Sequence, residues 1–370
     1  MDRDISPPPA KRRKVNQVTI SIPHPPPPQV PEPPGASTMR IFSWNINGIT
    51  PFLQKPITSF FKTASKPGTP KDAVPPASLR DFLRRHHWPA MLLLQEVKIA
   101  SKDIKIQDAV RLAVNTPSPP GTNEPQYEAH FTLPTDPHNA RGPRGSEKVY
   151  GVCSILRRDL REKYNVNTRT VAWDAEGRVS TIELTSGEAK LAVLNIYAVN
   201  GTHNPYRDPM TGAHSGTRHD RKLAFHAALA AECKSLEQNG WHVLIGGDMN
   251  VAPDARDGYP KLRTVPAQHV VNRADLHDQL LRAGEGGEGF GGVDVWRQTH
   301  GEERRYTYHP RGGGWGTSCD RIDYFIAARR TWHAGLVTDS GILDTAAARG
   351  PSDHVPVWVD IAFEPESKTP

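Results

Sequence analysis

"VLIGGDMNVAP", from Val243 to Pro253, joins an apolar run to two glycines and a polar cluster. The apolar run is typical of a buried strand, and the glycines would let a neighbouring strand or a substrate backbone come close. Asp248 and Asn250 are two positions apart, so strand alternation directs both toward one face and Met249 toward the core. The stretch therefore predicts a strand whose end presents an acid and an amide to one cleft.

The same pattern, an apolar run that ends in polar residues, recurs along the chain. Strands are predicted within "MRIFSWNINGI", "PAMLLLQEVK", "YEAHFTL", "YGVCSILRRDL", "RVSTIELTS", "KLAVLNIYAV", "RRYTYH", "DRIDYFIAA" and "HVPVWVDIAF". Helices are predicted within 78–88, 218–238 and 271–283, the first with Ser78 as its N-cap. Short strands with interspersed helices indicate an α/β or α+β domain with layered sheets.

The first 39 residues differ from the rest of the 370-residue chain, because they hold 11 of its 35 prolines. Such a segment buries too little apolar surface to offset its ordering entropy, so we predict a disordered arm over 1–38. The catalytic domain is then expected at 39–363, with a flexible tail at 364–370. The four consecutive cations Lys11–Lys14 resemble a nuclear import signal that an import receptor would bind, which predicts a nuclear protein. The alternative is a solvated charge run or a polyanion tether.

Charge, cysteine content and hydropathy exclude several classes of protein. Three scattered cysteines predict neither a disulfide framework nor a zinc site. The sequence has neither the apolar region of a signal peptide nor a run long enough to span a membrane. The net charge of +6 is compatible with a polyanionic substrate. We therefore expect a soluble monomer in a reducing compartment.

Polar groups at the predicted strand ends suggest a metal-dependent site. The candidates are Asn45, Glu96, Tyr197, Asn200, Asp248, Asn250, Asp323, Asp353 and His354. Several carboxylates brought together repel one another and need a cation. Mg²⁺ prefers oxygen ligands and substrate phosphate, and the absence of soft ligands disfavours zinc. An acid that activates water and a histidine that polarises phosphoryl oxygens then suit the hydrolysis of a phosphate ester.

Six motifs, "SWNINGI", "LLLQEVK", "NIYAVN", "GGDMNVA", "RIDYF" and "PSDHVPV", carry a resemblance to the endonuclease/exonuclease/phosphatase superfamily. They occur in the order seen there, and they most resemble the exonuclease III / AP endonuclease branch. The resemblance covers about 39–363. It implies a DNase I-like fold, which is a four-layered α/β sandwich of two packed, mostly antiparallel β-sheets flanked by helices.

The resemblance also implies metal ligands. Asn45 and Glu96 match the metal-site Asn and Glu of the family, and Asp353 matches the acid that completes the site. The implied ion is Mg²⁺, with Mn²⁺ as its substitute. Family descriptions also give metal-coordinating roles to some of the catalytic groups, here Asp248, Asn250 and His354.

The catalytic roles are likewise implied by the resemblance. Asp248 matches the acid that orients and deprotonates the attacking water, and Asn250 the amide that stabilises the transition state. His354 matches the histidine that polarises the phosphate, and Asp323 the acid that orients it. Tyr197 and Asn200 match a pair of phosphate contacts. The alternatives are a surface pair of Asp323 with Arg321 and a core position for Tyr197.

The sequence departs from the AP endonuclease pattern at the pocket for the abasic sugar. Asp320 stands where an aromatic is typical, and an acid there would repel a nearby phosphate. Tyr308 matches a second pocket aromatic. Asn47 is interpreted first as a turn former, with a weak metal role as the alternative.

Two further segments are candidates for contact with DNA. Arg218, Arg221 and Lys222 could form a strip along the phosphate backbone, or belong to an ordinary solvated loop. In the loop "RGGGWGTS", Trp315 beside Arg311 could stack on a base or pack on its own domain.

These observations favour a nuclear Mg²⁺-dependent phosphodiesterase acting on DNA. The expected activity is that of an AP endonuclease, a 3′-to-5′ exonuclease, or both, in DNA repair. A 5′-tyrosyl-DNA phosphodiesterase and an RNA deadenylase are the alternatives within the superfamily. A catalytically silent nucleic-acid-binding scaffold is disfavoured, because all the catalytic groups are present.

Overall fold

The computed structural model describes residues 30–35, 37–53, 77–116, 121–142, 146–282, 289–312 and 314–364. The predicted import signal, most of the predicted disordered arm and nearly all of the predicted tail lie outside the described residues. No helix of the described part is both long enough and apolar enough to cross a membrane.

Sixteen strands and eight α-helices make up most of the described structure, with 3₁₀-helices at Thr50–Phe52 and Ala255–Asp257 and a π-helix at His277–Leu281. The strands are β1 (Met39–Asn45), β2 (Met91–Gln95), β3 (Tyr127–Thr132), β4 (Val152–Arg157), β5 (Asn165–Thr170), β6 (Val179–Ser186), β7 (Ala189–Tyr197), β8 (Pro205–Arg207), β9 (His214–Thr217), β10 (His242–Asp248), β11 (Gly258–Tyr259), β12 (Val293–Asp294), β13 (Cys319–Asp320), β14 (Asp323–Ala327), β15 (Val337–Ile342) and β16 (Val357–Ile361). The helices are α1 (Leu79–Arg85), α2 (Ile104–Ala113), α3 (Leu160–Lys163), α4 (Arg218–Gln238), α5 (Gln268–Leu276), α6 (Val295–His300), α7 (Arg329–His333) and α8 (Ala346–Arg349).

Two six-stranded sheets form the centre of the molecule. The first sheet has the order β15-β16-β1-β2-β4-β3, and the second has the order β12-β14-β10-β7-β6-β5. Each sheet is antiparallel except for one parallel pair, β1 with β2 and β7 with β10. The carboxyl ends of parallel neighbours point the same way, so each pair brings the polar residues after its apolar runs to one edge.

Three apolar clusters hold the layers together. Alternate residues of each central strand face opposite sides, as Leu244 and Ile245 of β10 show. Leu244 packs between the two sheets, whereas Ile245 packs against α4 together with Phe225. On the far side of the first sheet, Leu92 packs with Phe82 of α1. The order of layers is therefore helices, sheet, sheet, helices, and the predicted four-layered sandwich is confirmed.

The central strand β10 has room for no side chain at its two glycines. A Cβ on Gly247 would lie 1.9 Å from the main-chain oxygen of Ile196, and one on Gly246 would lie 2.4 Å from the ring of Phe325. The glycines thus admit neighbouring elements of the protein itself. Replacement of either would push β7 or β14 away from Asp248.

Most predicted elements occur, with local differences. Ser78 caps α1 as expected, and Thr217 with Asp220 forms a capping box at the start of α4. "RRYTYH" is not a strand, because only Tyr308 pairs there, through isolated bridges to Asp320 and His354. "DRIDYFIAA" is interrupted between β13 and β14. The polar strands β5 and β15 escaped prediction because they lie at sheet edges and lack a continuous apolar run.

Candidate active site

Strand register brings the main candidate side chains together. In the second sheet Asp248 pairs with Tyr197 on β7 and with Asp323 on β14, so these three residues are neighbours across the sheet. In the first sheet Asn45 pairs with Gln95, and Glu96 follows directly. The edge where both parallel pairs end is therefore lined by acids, amides and a phenol.

One cavity of about 250 Å³ opens at this edge. Its lining includes most of the predicted metal and catalytic residues: Asn45, Glu96, Tyr197, Asn200, Asp248, Asn250, Asp353 and His354. Asp323 does not line the cavity but is fully buried behind His354. The structure thus places all nine predicted site residues in or directly behind one cleft.

Asp248 lies at the buried end of β10, with amide donors around its carboxylate. The side-chain amide of Asn45 donates to Oδ2 at 2.9 Å, and the main-chain N–H of Asn250 donates to Oδ1 at 2.8 Å. Burial, followed by the negative charge of Asp323, raises the pKa of Asp248. A carboxylate with a raised pKa is suited to accept a proton, as a general base must.

His354 forms a buried pair with Asp323. The Nδ1 of His354 lies 2.8 Å from Oδ2 of Asp323, while the main-chain N–H of Asp323 donates to the hydroxyl of Thr307 at 3.0 Å. Burial opposes the charged imidazole, but the carboxylates of Asp323, Asp248 and Asp353 prevail and raise the pKa of His354. A cationic imidazolium whose Nδ1–H donates to Asp323 leaves its Nε2–H to donate to an anion. The surface pair of Asp323 with Arg321 does not form.

Glu96 and Asp353 are positioned by two asparagines and a lysine. Asn45 donates to Glu96 at 3.2 Å, and Asn47 donates to Asp353 at 2.8 Å. Lys98 links Glu96 to Asn47, since its Nζ lies 2.9 Å from the Glu96 carboxylate and donates to the side-chain oxygen of Asn47 at 2.5 Å. Asn47 does form a turn, with φ of 50°, and its side chain also orients an acid. Lys98 was missed by sequence reasoning, although it lies in the quoted motif "LLLQEVK".

Four site residues adopt left-handed backbone conformations. Asn47, Glu96, Lys98 and Asn250 have φ values of 50°, 54°, 54° and 52°. Each such conformation costs a non-glycine residue about 1–3 kcal/mol and persists only where the surroundings enforce it. Asn250 reaches the cavity through this turn after the end of β10, whereas strand alternation was the expected reason. Met249 is buried in the core as predicted.

Tyr197 is 8% exposed, and Asn200 follows it at the exposed rim of the cavity. Burial and the nearby Glu96 hold the pKa of Tyr197 well above its usual value, so the phenol keeps its proton and can donate it. The guanidinium of Arg178 lies 4.9 Å from the Tyr197 ring. Tyr197 is therefore both packed and directed at the cleft, which combines the two interpretations of this residue.

The donor set of the cleft fits a hard metal ion. Asp248, Asp323 and His354 form a buried group whose ligand atoms lie within 4.8 Å of one another, and Oδ1 of Asp323 has no partner among the described residues. Since Nδ1 of His354 is already bonded to Asp323, the carboxylates of Glu96 and Asp353, which line the cavity beside Asp248, are the better ligands. Carboxylate and amide oxygens are the ligands that Mg²⁺ and Mn²⁺ prefer.

The prediction that Arg218, Arg221 and Lys222 form an exposed strip for DNA contact is wrong, because all three are buried. Arg218 and Arg221 are 7% and 9% exposed, and Arg218 forms a bidentate pair with the buried Glu176 at 2.7 and 2.8 Å. Lys222 is 2% exposed and donates from Nζ to the main-chain oxygen of Asn250 at 2.8 Å. The three cations begin α4, and helical geometry turns them inward. Lys222 belongs to the cavity lining.

The loop with Trp315 packs on its own domain. The indole stacks on His309 with ring centroids 3.7 Å apart, and the guanidinium of Arg349 lies 5.2 Å from it on the same stack. Arg311 is exposed but donates to the main-chain oxygen of Ser352 at 3.1 Å. Of the two interpretations of Trp315, packing is the one that the contacts favour.

The predicted sugar pocket is polar and charge-paired. Tyr308 lines the cavity, and its ring lies 4.9 Å from the ring of His354. Asp320 also lines the cavity and pairs with Arg263 at 2.8 Å. The acid that was expected to repel a nearby phosphate therefore has a counter-ion. Arg263, His269 and Arg273 were missed, because no local pattern marks these loop and helix residues as part of the cleft.

Comparisons with known proteins agree with this architecture. The model of the Endonuclease/Exonuclease/phosphatase family matches residues 42–354. No curated protein matches the chain closely in sequence.

Three solved structures share the fold. The catalytic domain of APE2 from Xenopus laevis is 19% identical, with a TM-score of 0.58 over 90% of this chain and 94% of that one. The AP endonuclease LMAP from Leishmania major is 15% identical, with a TM-score of 0.59 over 88% and 87%. An AP endonuclease from Archaeoglobus fulgidus is 18% identical, with a TM-score of 0.53 over 87% and 98%.

The family match covers most of the chain; the enzymes of this family are metal-dependent, and the buried acidic cluster of this chain could hold a metal ion. Together with the convergent acids, amides and histidine, it confirms a hydrolytic enzyme that acts on phosphodiester bonds. The chain belongs to the endonuclease/exonuclease/phosphatase family.

Proposed function

We propose that the protein is a Mg²⁺-dependent nuclease that hydrolyses DNA phosphodiester bonds, as an AP endonuclease, a 3′-to-5′ exonuclease, or both, in DNA repair. The observation that carries the proposal is the pairing of a buried general base, Asp248, with the His354–Asp323 pair in one cleft. The fold shared with AP endonucleases supports DNA as the substrate.

Asp248 accepts the proton of the attacking water. Asn45 and the main-chain N–H of Asn250 hold its carboxylate in one orientation, so its free lone pairs are directed at the cavity. The new bond forms between the water oxygen and phosphorus, and the bond from phosphorus to the leaving oxygen of the sugar breaks. General base catalysis of this kind contributes about 10²- to 10⁴-fold to rate.

His354 donates to a phosphoryl oxygen and stabilises the charge that develops there. Asp323 fixes the ring and keeps it cationic, and Tyr197 and Asn200 supply further donors at the same cavity. Glu96 and Asp353, with Asn45 and Asp248 beside them, would hold Mg²⁺ or Mn²⁺, which supplies positive charge against the developing negative charge. Preorganised donors of this kind cost no reorganisation during the reaction.

A substrate panel tests the proposal. Duplexes with an abasic site, a recessed 3′ end or a 5′-tyrosyl group, and a polyadenylate RNA, are incubated with the protein and Mg²⁺, Mn²⁺ or a chelator. We expect metal-dependent cleavage at the abasic site, at the 3′ end, or at both. Cleavage confined to the 5′-tyrosyl duplex or to RNA would replace the proposal with one of those activities, and no cleavage would refute it.

We also propose that the protein acts in the nucleus and that Lys11–Lys14 is read by an import receptor. The support is the sequence pattern alone, four cations next to prolines. The full chain, fused to a fluorescent protein, should lose nuclear accumulation when these four residues are replaced by alanine. Unchanged accumulation would contradict this role.

A further inference from the structure

Part of the active-site cavity is lined by basic side chains that the proposed chemistry does not use. Lys222, Arg263, His269 and Arg273, here called the cationic wall, come from the start of α4, from the segment before α5 and from α5 itself. Asp320 is the acid of the cavity lining that pairs with one of them, Arg263. The wall adjoins the catalytic groups, because Nζ of Lys222 donates to the main-chain oxygen of Asn250.

Lys222 is a buried lysine without a salt-bridge partner among the described residues; burial lowers its pKa, and the nearby carboxylate of Asp248 opposes that shift. The residue is 2% exposed, and its Nζ donates to the neutral main-chain carbonyl of Asn250 at 2.8 Å. It forms no salt bridge within the described part of the chain. A buried ammonium is costly unless it is paired, and an anion bound in the cavity supplies the direct ionic contact that Lys222 lacks among the described residues.

Arg273 reinforces the positive field of the wall. Its Nε donates to the main-chain oxygen of Ala252 at 2.8 Å, and its Nη2 to that of Arg263 at 2.9 Å. Both hydrogen-bond partners are neutral carbonyls, and the anion near Arg273, the carboxylate of Asp320, is already paired with Arg263. Burial and neighbouring cations, Arg263 and Lys222 among them, lower the pKa of His269. The surroundings of His269 are therefore rich in positive charge.

The ring of Tyr308 lies between the cationic wall and His354. The ring of Tyr308 is 4.9 Å from that of His354, and the guanidinium carbon of Arg263 is 5.9 Å from the Tyr308 ring. A phosphate held by His354 therefore has Tyr308 beside it and Arg263 beyond it. This order suits a nucleotide unit that lies over the ring and carries its next phosphate toward the wall.

We infer that the cationic wall is a subsite for a second phosphate of the substrate strand, adjacent to the phosphate that is hydrolysed. Lys222 and Arg263 supply its charge-assisted donors, which bind phosphate more strongly than neutral donors do. Asp320 competes with that phosphate for Arg263 and so lowers the affinity of the subsite for phosphate. The inference rests on the proposed function and narrows it to strands with a charged neighbouring phosphate.

Small ligands test the subsite directly. Binding of a nucleoside 3′,5′-bisphosphate is compared by titration calorimetry with that of the 3′- and 5′-monophosphates, using the full chain in Mg²⁺. We expect the bisphosphate to bind about tenfold or more tightly than either monophosphate, since a charge-assisted hydrogen bond contributes on that scale. Equal affinities would overturn the inference.

Variants locate the effect. Arg263→Gln should weaken bisphosphate binding about tenfold, and Asp320→Asn should strengthen it, because Arg263 is then free to bind the phosphate. Arg282→Gln removes the same charge from an exposed i,i+4 pair with Asp278 outside the cavity and should leave binding unchanged. An Arg263→Gln protein that binds the bisphosphate as tightly as the wild type would contradict the assignment, as would weaker binding by Asp320→Asn.

Hydrolysis separates this inference from the proposed function. Cleavage is measured on oligonucleotides in which the phosphate next to the scissile one, on either side, is replaced by a neutral methylphosphonate. We expect kcat/KM to fall about tenfold for one of the two sides. An unchanged kcat/KM for both modified strands would refute the subsite alone. No cleavage of the unmodified strand would refute the proposed function as well.

Discussion

Two buried ionic clusters lie two residues apart on the chain, at Arg321 and at Asp323, and they are built differently. Arg321 is fully buried and forms paired contacts with Asp257, at 2.7 and 3.0 Å, and with Asp294, at 2.6 and 3.1 Å. Asp323 is also fully buried, yet one oxygen bonds to His354 and the other has no partner among the described residues. The first cluster is closed, and the second is open toward the cavity.

The difference shows which buried charges hold the fold and which serve the reaction. Arg321 remains charged at any physiological pH, so its site must supply every partner. His354 can release its proton, and the opposed carboxylates of Asp248 and Asp323 repel each other unless another charge enters the cavity. A cation bound in the cavity would offset that repulsion, whereas the closed cluster already holds every charge that it needs.

The largest effect is expected from breaking the closed cluster. Arg321→Met leaves the carboxylates of Asp257 and Asp294 buried without their main partner, which should lower the free energy of unfolding by about 3–5 kcal/mol. Urea unfolding in metal-free buffer measures this change. A loss below about 1 kcal/mol would show that the closed cluster is not structural.

Breaking the open cluster should affect catalysis and leave stability nearly unchanged. Asp323→Asn removes the charge that orients His354 and keeps it cationic, so kcat should fall about 10²- to 10³-fold. The free energy of unfolding should change by about 1 kcal/mol or less, because His354 can neutralise itself and one repulsion disappears. Cleavage rates and metal-free unfolding curves of this variant check both statements. A stability loss as large as that of Arg321→Met would erase the contrast between the clusters.

An intermediate effect is expected at the margin of the closed cluster. Arg297 donates to Asp257 at 2.5 Å, and its side chain is 15% exposed. Arg297→Ala leaves Asp257 its bonds to Arg321, so the free energy of unfolding should fall by about 2 kcal/mol. Unfolding and cleavage assays should show this loss with unchanged kcat. Reduced kcat in a folded protein would link the closed cluster to the reaction.

The smallest effect is expected at an exposed pair. Arg282 and Asp278 are 69% and 59% exposed and lie one helical turn apart. Arg282→Ala should change the free energy of unfolding by about 0.5 kcal/mol or less and leave kcat unchanged. The same unfolding assay provides the baseline against which the buried clusters are judged, and a change above about 1 kcal/mol would invalidate that baseline.

The sequence predicts the central strands and the residues at their ends well, for a physical reason. β2, β7 and β10 are buried on both faces, so each contains a continuous apolar run that stands out in the sequence, whereas Arg40 and Ser43 interrupt the apolar residues of the equally buried β1. Polar residues that end such runs mark the sheet edge, which is where Asn45, Glu96, Asp248 and their partners meet.

The rest depends on contacts that no local pattern records. The inward direction of Arg218 and Lys222 follows from how α4 packs on the second sheet, and the role of Arg263 follows from a loop that folds back over Tyr308. The left-handed turn at Asn250 likewise depends on its hydrogen bonds to Ala198 and Asp248, at 3.0 and 3.2 Å. The sequence therefore predicts the candidate catalytic groups but not the cationic wall that lies beside them in the cavity.

The central claim, that Asp248 is the base of a metal-dependent phosphodiesterase, is tested most directly by Asp248→Asn. The substitution keeps the size of the side chain and removes its capacity to accept the proton. Cleavage of the best substrate is measured under single-turnover conditions, and its binding is measured in parallel. The structure predicts a rate reduced at least about 100-fold with a dissociation constant changed by no more than about threefold. A variant that cleaves at the wild-type rate would contradict the claim.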